Sequence, residues 1–362
     1  MTRSANQVVT NAPRGLGSVV CFGVHILDVL GRPVTHIPPG QQSLIIDEIR
    51  VTAAGTAAGT SVDLAKLGVP VRNFGAIGDD VLGDLIVTLL ETHGVGTDLL
   101  TRKPGERSSA TILPIRPNGE RPALHAPGAN RNFAPTDLSE EHRRVLREAA
   151  VVHIGGPDSL PGFDPGLMAE FIDVAKSSGA IVTMDVLHVG NPATLDRLAP
   201  LLPLIDWFLP NDNQLRSLTG CDDLMEAIQV VRALGVGGVA VTLGDEGSLL
   251  AVGTEVVVIP VMAVDVVDTT GCGDGYDAGF IIGLLVGALP SEAAWIGTVC
   301  GGLVATGLGS DAGIIDLAQV LHHLEKLSSQ PDAARAAALL RGHLEERAFV
   351  DQGIEKGGHD GN

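Results

Sequence analysis

Between residues 149 and 244, short apolar runs alternate with helix-patterned segments of about a dozen residues. VVHIGG (151–156) is β-branched and continuous, and PGLMAEFIDVAKSSG (165–179) has helical periodicity. AIVTMDV (180–186), IDWFLP (205–210) and GVAVTLG (238–244) predict further strands, with a helix, LMEAIQVVRALG (224–235), between the last two. Strands joined through helices run parallel and are buried on both faces. The chain is therefore expected to be α/β, with a central mostly parallel sheet and helices on both faces. Upstream, SVVCFGV (18–24) predicts a first strand and SVDLAKL (61–67) a short helix stopped by Gly68. VRNFGAIG (71–78) predicts another strand, and DVLGDLIVTLLETHG (80–94) an amphipathic helix closing at Gly94.

Two segments break this rhythm. Residues 32–53 hold Pro33, Pro38, Pro39 and Gly40 ahead of LIIDEIRVT and predict an extended ribbon. TILPIRPNGERPALHAPG (111–128) predicts a hairpin turning at Asn118-Gly119. Together they should form a separate small β-sheet, from about 32–53 and 110–127. Residues 1–17 are expected to be a disordered leader, 18–326 one folded domain, and 327–362 a polar C-terminal helix, Ala-rich over 332–348, with a tail. The apolar run 16–30 is interrupted by His25 and Asp28 and lacks a cleavage site. Residues 293–310 are uncharged but hold five Gly without flanking Lys or Arg, which predicts a buried helix rather than a membrane span. With 24 Lys+Arg against 43 Asp+Glu the net charge is −19, which disfavours nucleic acid or an anionic membrane as partner. Cys21, Cys221, Cys272 and Cys300 have neither zinc-ligand nor disulfide-framework spacing, so a cytoplasmic setting is expected.

Chemistry concentrates in VDVVDTTGCGDGYDAGFIIGLLVGAL (264–289). The pattern predicts a strand ending at Asp268, a tight Gly271-Cys272-Gly273 turn, and Asp274 at the mouth of an apolar helix. Free N–H groups at a helix start attract an anion, and glycines let it approach closely. A carboxylate there would repel a bare phosphate, but it can accept a hydroxyl proton while the turn neutralises a transferring phosphoryl group. The alternative is that Asp274 merely caps the helix. No G-x-x-x-x-G-K-[ST], no strand-following G-x-G-x-x-G and no G-x-S-x-G is present, so P-loop, dinucleotide-dehydrogenase and α/β-hydrolase readings have no fingerprint. The eleven His show no paired spacing.

D-T-T-G-C-G-D closely resembles the DTxGAGD motif of PfkB/ribokinase-type carbohydrate kinases. Gly55 with SVDLAKLG, GAIGDDVLGD (75–84), PGAN (127–130), Asn211 in LPNDNQ and TLGDEG (242–247) follow in family order, so the resemblance spans about 18–325. It implies a ribokinase-like fold with a small β-sheet lid, and transfer of the ATP γ-phosphoryl group to a hydroxyl of a sugar or sugar-like substrate. By position, Asp274 would be the general base, and the backbone of Gly271, Cys272 and Gly273 the anion hole. Asp28, Gly55 and Gly59 would face the substrate. Asn211, Thr242, Gly244 and Gly247 would face ATP. Mg²⁺ would involve Gln214 through water, and a monovalent cation the backbone near Asp268. The lid edges would suit a homodimer. Three departures stand out. Gly59 replaces an expected Asn, Gln214 an expected Glu, and Cys272 an Ala whose replacement thiol could have a lowered pKa at a helix start. A nucleoside kinase of the same fold and a non-catalytic sugar- or nucleotide-binding member are the alternatives.

Overall fold

The computed structural model describes residues 16–134 and 138–351. The leader expected over 1–17 thus lies almost wholly outside the described residues, as does the tail beyond 351. Strands β1 (Ser18–Gly23), β2 (Ile26–Arg32), β3 (Glu48–Ala54), β4 (Val71–Gly78), β5 (Gly96–Lys103), β6 (Ala110–Pro114) and β7 (Leu124–Ala126) come from the first third of the chain. β8 (Ala149–Gly155), β9 (Ile181–Asp185), β10 (Trp207–Phe208), β11 (Gly238–Thr242), β12 (Ser248–Val252) and β13 (Glu255–Ile259) follow. Nine of them form one sheet in the order β13-β12-β11-β10-β9-β8-β1-β4-β5. The seven strands from β11 to β5 pair in parallel, and β11–β12–β13 is an antiparallel meander at one edge. The other four make a small sheet ordered β3-β2-β6-β7.

The burial that the sequence pattern demanded is met by two helical layers. α1 (Thr56–Lys66), α2 (Val81–Thr92), α8 (Cys272–Leu285), α9 (Pro290–Val304), α10 (Leu317–Lys326) and α11 (Pro331–Asp351) pack on one face. α3 (Glu140–Glu148), α4 (Pro165–Lys176), α5 (Pro192–Leu198), α6 (Asp212–Thr219) and α7 (Leu224–Ala233) pack on the other. Among the described residues the four cysteines are free and no helix is long and apolar enough to cross a membrane.

Several boundaries differ from the sequence expectation. The ribbon expected over 32–53 is an antiparallel pair, but its first strand, β2, starts at Ile26, and residues 33–47 are a loop. Asp28 therefore lies inside a lid strand. α1 starts at Thr56 rather than 61, because residues 56–64 are buried all round and show no amphipathic stripe. β5 and the β12–β13 hairpin escaped the sequence reading. No strand leads into Asp268: the Val267 and Asp268 N–H groups both turn to the Ala305 carbonyl at the end of α9 (2.8 and 3.4 Å), so this β-branched run has no ladder partner. α11 is not a polar appendage, since Ala333, Ala336, Ala337 and Leu340 are buried in the core that α9 and α10 share.

α8 and α9 meet along glycines four residues apart. A Cβ on Gly279 would fall 2.7 Å from the Ile296 carbonyl oxygen and 2.8 Å from Gly297 Cα, and one on Gly283 2.5 Å from Ala293 Cα. The bare backbone lets α8 lie close against α9. Gly→Ala in a helix normally stabilises by about 1 kcal/mol. Here Gly279→Ala should instead destabilise by roughly 1–3 kcal/mol through overpacking. Urea unfolding with an unchanged m-value and a lowered midpoint would check it.

Candidate active site

The sheet reverses direction of growth beside β1, which has β4 on one side and β8 on the other. Ligands of open α/β sheets bind outside the strand C-termini at such a point. A cavity of about 310 Å³ lies there, between the sheet edge, the N-terminus of α8 and the lid. Asp28 and Thr111 line it from the lid strands, Arg121 and His125 from the hairpin, and Asp185 from the end of β9. Gly271, Gly273 and Asp274 line it from α8, and Asn211, Gln214 and Thr242 from the opposite wall.

Gly271 precedes α8 in a left-handed conformation (φ 81°) that leaves no side chain to cap the helix. The Cys272 N–H leans on the Thr269 carbonyl at 3.4 Å, while among the described residues none accepts from the N–H groups of Gly271, Gly273 or Asp274. Positive helix-terminal charge thus faces the cavity beside a carboxylate. Asp274 is not the helix cap, since its carboxylate takes no hydrogen bond from the helix start. Burial first, then the Asp28 charge, push its pKa up to about 7, against the Arg121 guanidinium, which lowers it. Asp28 sits between Thr52 on β3 and Thr111 on β6. Burial raises it to about 6, opposed by the Thr111 hydroxyl and Arg121.

Asp28, Gly55, Asn211, Gln214, Thr242, Asp268's neighbour Thr269, Gly271, Gly273 and Asp274 are gathered at this cavity; other expected residues are elsewhere. Gly59 does not line it. It faces Asp274, and a Cβ there would lie 2.7 Å from Asp274 Cγ and 3.1 Å from its Cβ. Cys272 is outside the lining too, and burial pushes its thiol up to about 12, the reverse of a helix-activated thiolate. Gly244 is exposed with open space beside it, whereas Gly247 allows the close approach of the 259–261 backbone, 2.7 Å from Val261 N to its Cβ position. Gln214 spends its amide on protein: Nε2 donates to the Val186 carbonyl (2.7 Å) and Oε1 accepts from Asn211 N–H (2.8 Å). That capping box leaves it a poor partner for metal-bound water. The Asp268 carboxylate accepts from Thr270 N–H (3.1 Å), Thr270 Oγ1 (2.9 Å) and Gly309 N–H (2.9 Å), and so builds the turn. Among the described residues no cluster of three or more His, Cys, Asp or Glu is arranged to hold a metal.

Two quoted motifs hold the lid rather than line the site. Asp80, in GAIGDDVLGD, caps α2 through Gly83 N–H and accepts from the Ser108 hydroxyl at 2.6 Å. Asn130, in PGAN, donates to the His25 carbonyl at 3.0 Å, at the joint between β1 and β2. Sequence reasoning missed Asp185, and it set aside His125 and His188, which lie near strand ends, for lack of any paired spacing. Asp185 was discoverable, because it ends a buried strand in a parallel sheet.

A family model described as pfkB family carbohydrate kinase matches residues 17–316. The chain is 27% identical over 272 residues to a ribokinase of Arabidopsis thaliana, covering 72% of this chain and 68% of the relative. Its fold is similar to the structure of Arabidopsis thaliana ribokinase complexed with ribose and ATP, with TM-score 0.73 and 24% identity over 85% of this chain and 98% of the other. A putative ribokinase II from E. coli in complex with ATP and Mg²⁺ matches with TM-score 0.72 and 22% identity, over 86% and 100% of the two chains.

A carboxyl whose pKa rises on folding favours the fold at low pH and costs stability as pH climbs from the ordinary value toward the raised one. Asp274→Asn should therefore be more stable than the parent at pH 8. The gain should be roughly a few kcal/mol, since each tenfold change in a proton-binding constant is worth about 1.4 kcal/mol. It should vanish near pH 4, as urea titrations at the two pH values would show.

Proposed function

The chain belongs to the pfkB family of carbohydrate kinases, and from that premise we propose that it transfers the γ-phosphoryl group of ATP to a hydroxyl of a free sugar or sugar-like polyol. The observation that carries this reading is Asp274 on the cavity wall beside the free N–H groups of Gly271 and Gly273. The acceptor lies between the lid and the sheet edge. Asp28 receives hydrogen bonds from its hydroxyls, since two carboxylate oxygens can accept from neighbouring groups. Asp274 takes the proton of the attacking hydroxyl as that oxygen bonds to the γ-phosphorus and the bond to the β–γ bridging oxygen breaks, releasing ADP. The amides at the start of α8 hold the phosphoryl oxygens, and Asn211 and Thr242 flank the nucleotide. The lid keeps out water, which would otherwise take the phosphoryl group.

Mg²⁺ keeps several of its own waters and needs few protein ligands beside substrate phosphates. The sparse donor set fits an ion that arrives with ATP, with Asn211 facing it, and its contribution would be to neutralise phosphate charge. A sugar-like acceptor is favoured over a nucleoside because the lining is rich in hydroxyl- and carboxylate-bearing side chains and its aromatic rings are confined to the imidazoles of His125 and His188.

A coupled ATP-consumption assay over a panel of sugars and nucleosides tests the reading. Turnover should require a polyol, and a calorimetric titration with binding but no turnover on any acceptor would overturn it. Asp274→Asn should lower kcat by about 10²–10⁴-fold. In the parent, kcat/KM should rise about tenfold per pH unit below 7 and level off above it. Asp28→Ala should act mainly on the acceptor, raising its KM roughly 10–100-fold, the value of one or two charged hydrogen bonds.

A further inference from the structure

Residues 186–188 leave β9 along one wall of the cavity, beyond the end of the strand ladder. Side chains hold their backbone instead. The Asp158 carboxylate accepts from the Leu187 N–H at 2.8 Å and from the His188 N–H at 2.9 Å. Gln214 Nε2 donates to the Val186 carbonyl at 2.7 Å and to the Leu187 carbonyl at 3.4 Å. A Glu at 214 would face the same two carbonyls with no proton to give, so the amide completes the clamp. Asp158 is fixed in turn, because the Arg197 guanidinium donates to its main-chain carbonyl at 2.6 Å.

The clamped segment sets one ring against the small sheet. The His188 ring stands edge-on to that of His125, with centroids 6.4 Å apart and planes at 75°, a favourable aromatic geometry. His125 belongs to β7, and its Nδ1 lies 3.0 Å from Thr111 Oγ1 on β6. Thr111 is the register partner of Asp28 on β2, and both side chains line the cavity from the same face of the small sheet. A hydroxyl both accepts and donates, so a Thr111 that accepts from His125 has its own proton to give to Asp28.

We propose that His188 is a positioning residue for the acceptor: seated by Asp158 and Gln214, its ring holds His125 so that Nδ1–H donates to Thr111, and the Thr111 hydroxyl donates to Asp28. The role rests on the reading of Asp28 as the group that receives the acceptor's hydroxyls. The Thr111 proton occupies one lone pair of the carboxylate, which fixes its rotation and leaves the others to the acceptor. The ring contact is where this chain of contacts passes from the large sheet to the small one. Burial, and then the His188 charge, lower the pKa of His125, which keeps its ring neutral and one nitrogen bare.

The test reads imidazole ¹⁵N resonances of the full-length protein at pH 8 without ligand, with His125 and His188 assigned by their loss in His125→Phe and His188→Ala. The parent should show His125 protonated at Nδ1 and bare at Nε2. In His188→Ala the His125 pattern should move toward an average of the two tautomers. The KM for the best polyol of the panel above should rise about tenfold, the worth of one hydrogen bond. The kcat and the KM for ATP should stay within about twofold, because acceptor binding alone is touched. His188→Phe, which keeps a ring, should restore both the tautomer and the KM. Gln214→Glu should shift the His125 resonances as His188→Ala does. A parent His125 protonated at Nε2, a tautomer unmoved in His188→Ala or in Gln214→Glu, or a His188→Phe no better than His188→Ala would each overturn the proposal. Should His188→Ala not fold, the parent tautomer and Gln214→Glu decide. These spectra need no turnover, so a protein that phosphorylates nothing yet shows the shifts would end the kinase reading and leave the His188 contacts standing.

Discussion

A carboxylate remains at the bottom of this cleft because the backbone around it is stripped of side chains. Gly271 and Gly273 leave the start of α8 bare, and Gly59 leaves room on α1 for the Asp274 side chain. Close packing of α8 on α9 through Gly275, Gly279 and Gly283 fixes where that helix start points. The charge is thus placed by backbone contacts on both sides, and not by hydrogen bonds to its own oxygens. A buried carboxyl without hydrogen-bond partners is destabilising, and the fold carries that cost at Asp63 and Asp277 as well.

The lid and the sheet supply different halves of the site. Asp28, Thr111, Arg121 and His125 come from the small sheet and its hairpin, while Asp185, Thr242 and the α8 turn come from the large one. The joint between them is tied by Asn130 to the His25 carbonyl and by Asp80 to Ser108. Asp28 and Arg121 both act on Asp274 from the small sheet and its hairpin, so the electrostatics of Asp274 are coupled to that element. The acidic interior, with Asp63, Asp185 and Asp277 all raised by burial, makes Arg121 the principal opposing charge at the cavity.

How much was legible varied with the kind of signal. The parallel core between residues 149 and 244 was plain because buried strands and amphipathic helices have distinct periods. β5 was not, since this edge strand is half polar, and β12 and β13 were not, since each is an apolar run of only five residues with no helix between them to mark a βα unit. α1 was cut short because a helix buried all round has no polar face to mark its period. At the site, Asp274 and the glycine turn stood out by composition, but Gly59, Gly247, Cys272 and Gln214 carried roles that depend on their neighbours. Gly247 answers to the 259–261 backbone and Gln214 to the Val186 carbonyl, contacts made across long sequence separations.

The sequence by itself determined the layered α/β architecture, the separate lid and the Gly-Cys-Gly-Asp turn, because periodicity, turn chemistry and helix-start physics are local. Only the tertiary structure decided that Asp28 belongs to a strand of the small sheet, that Asp274 rests against Gly59, and that the Gln214 amide is already committed. Those outcomes depend on which segments meet in space, and on how burial and neighbouring charge reset each group once they do.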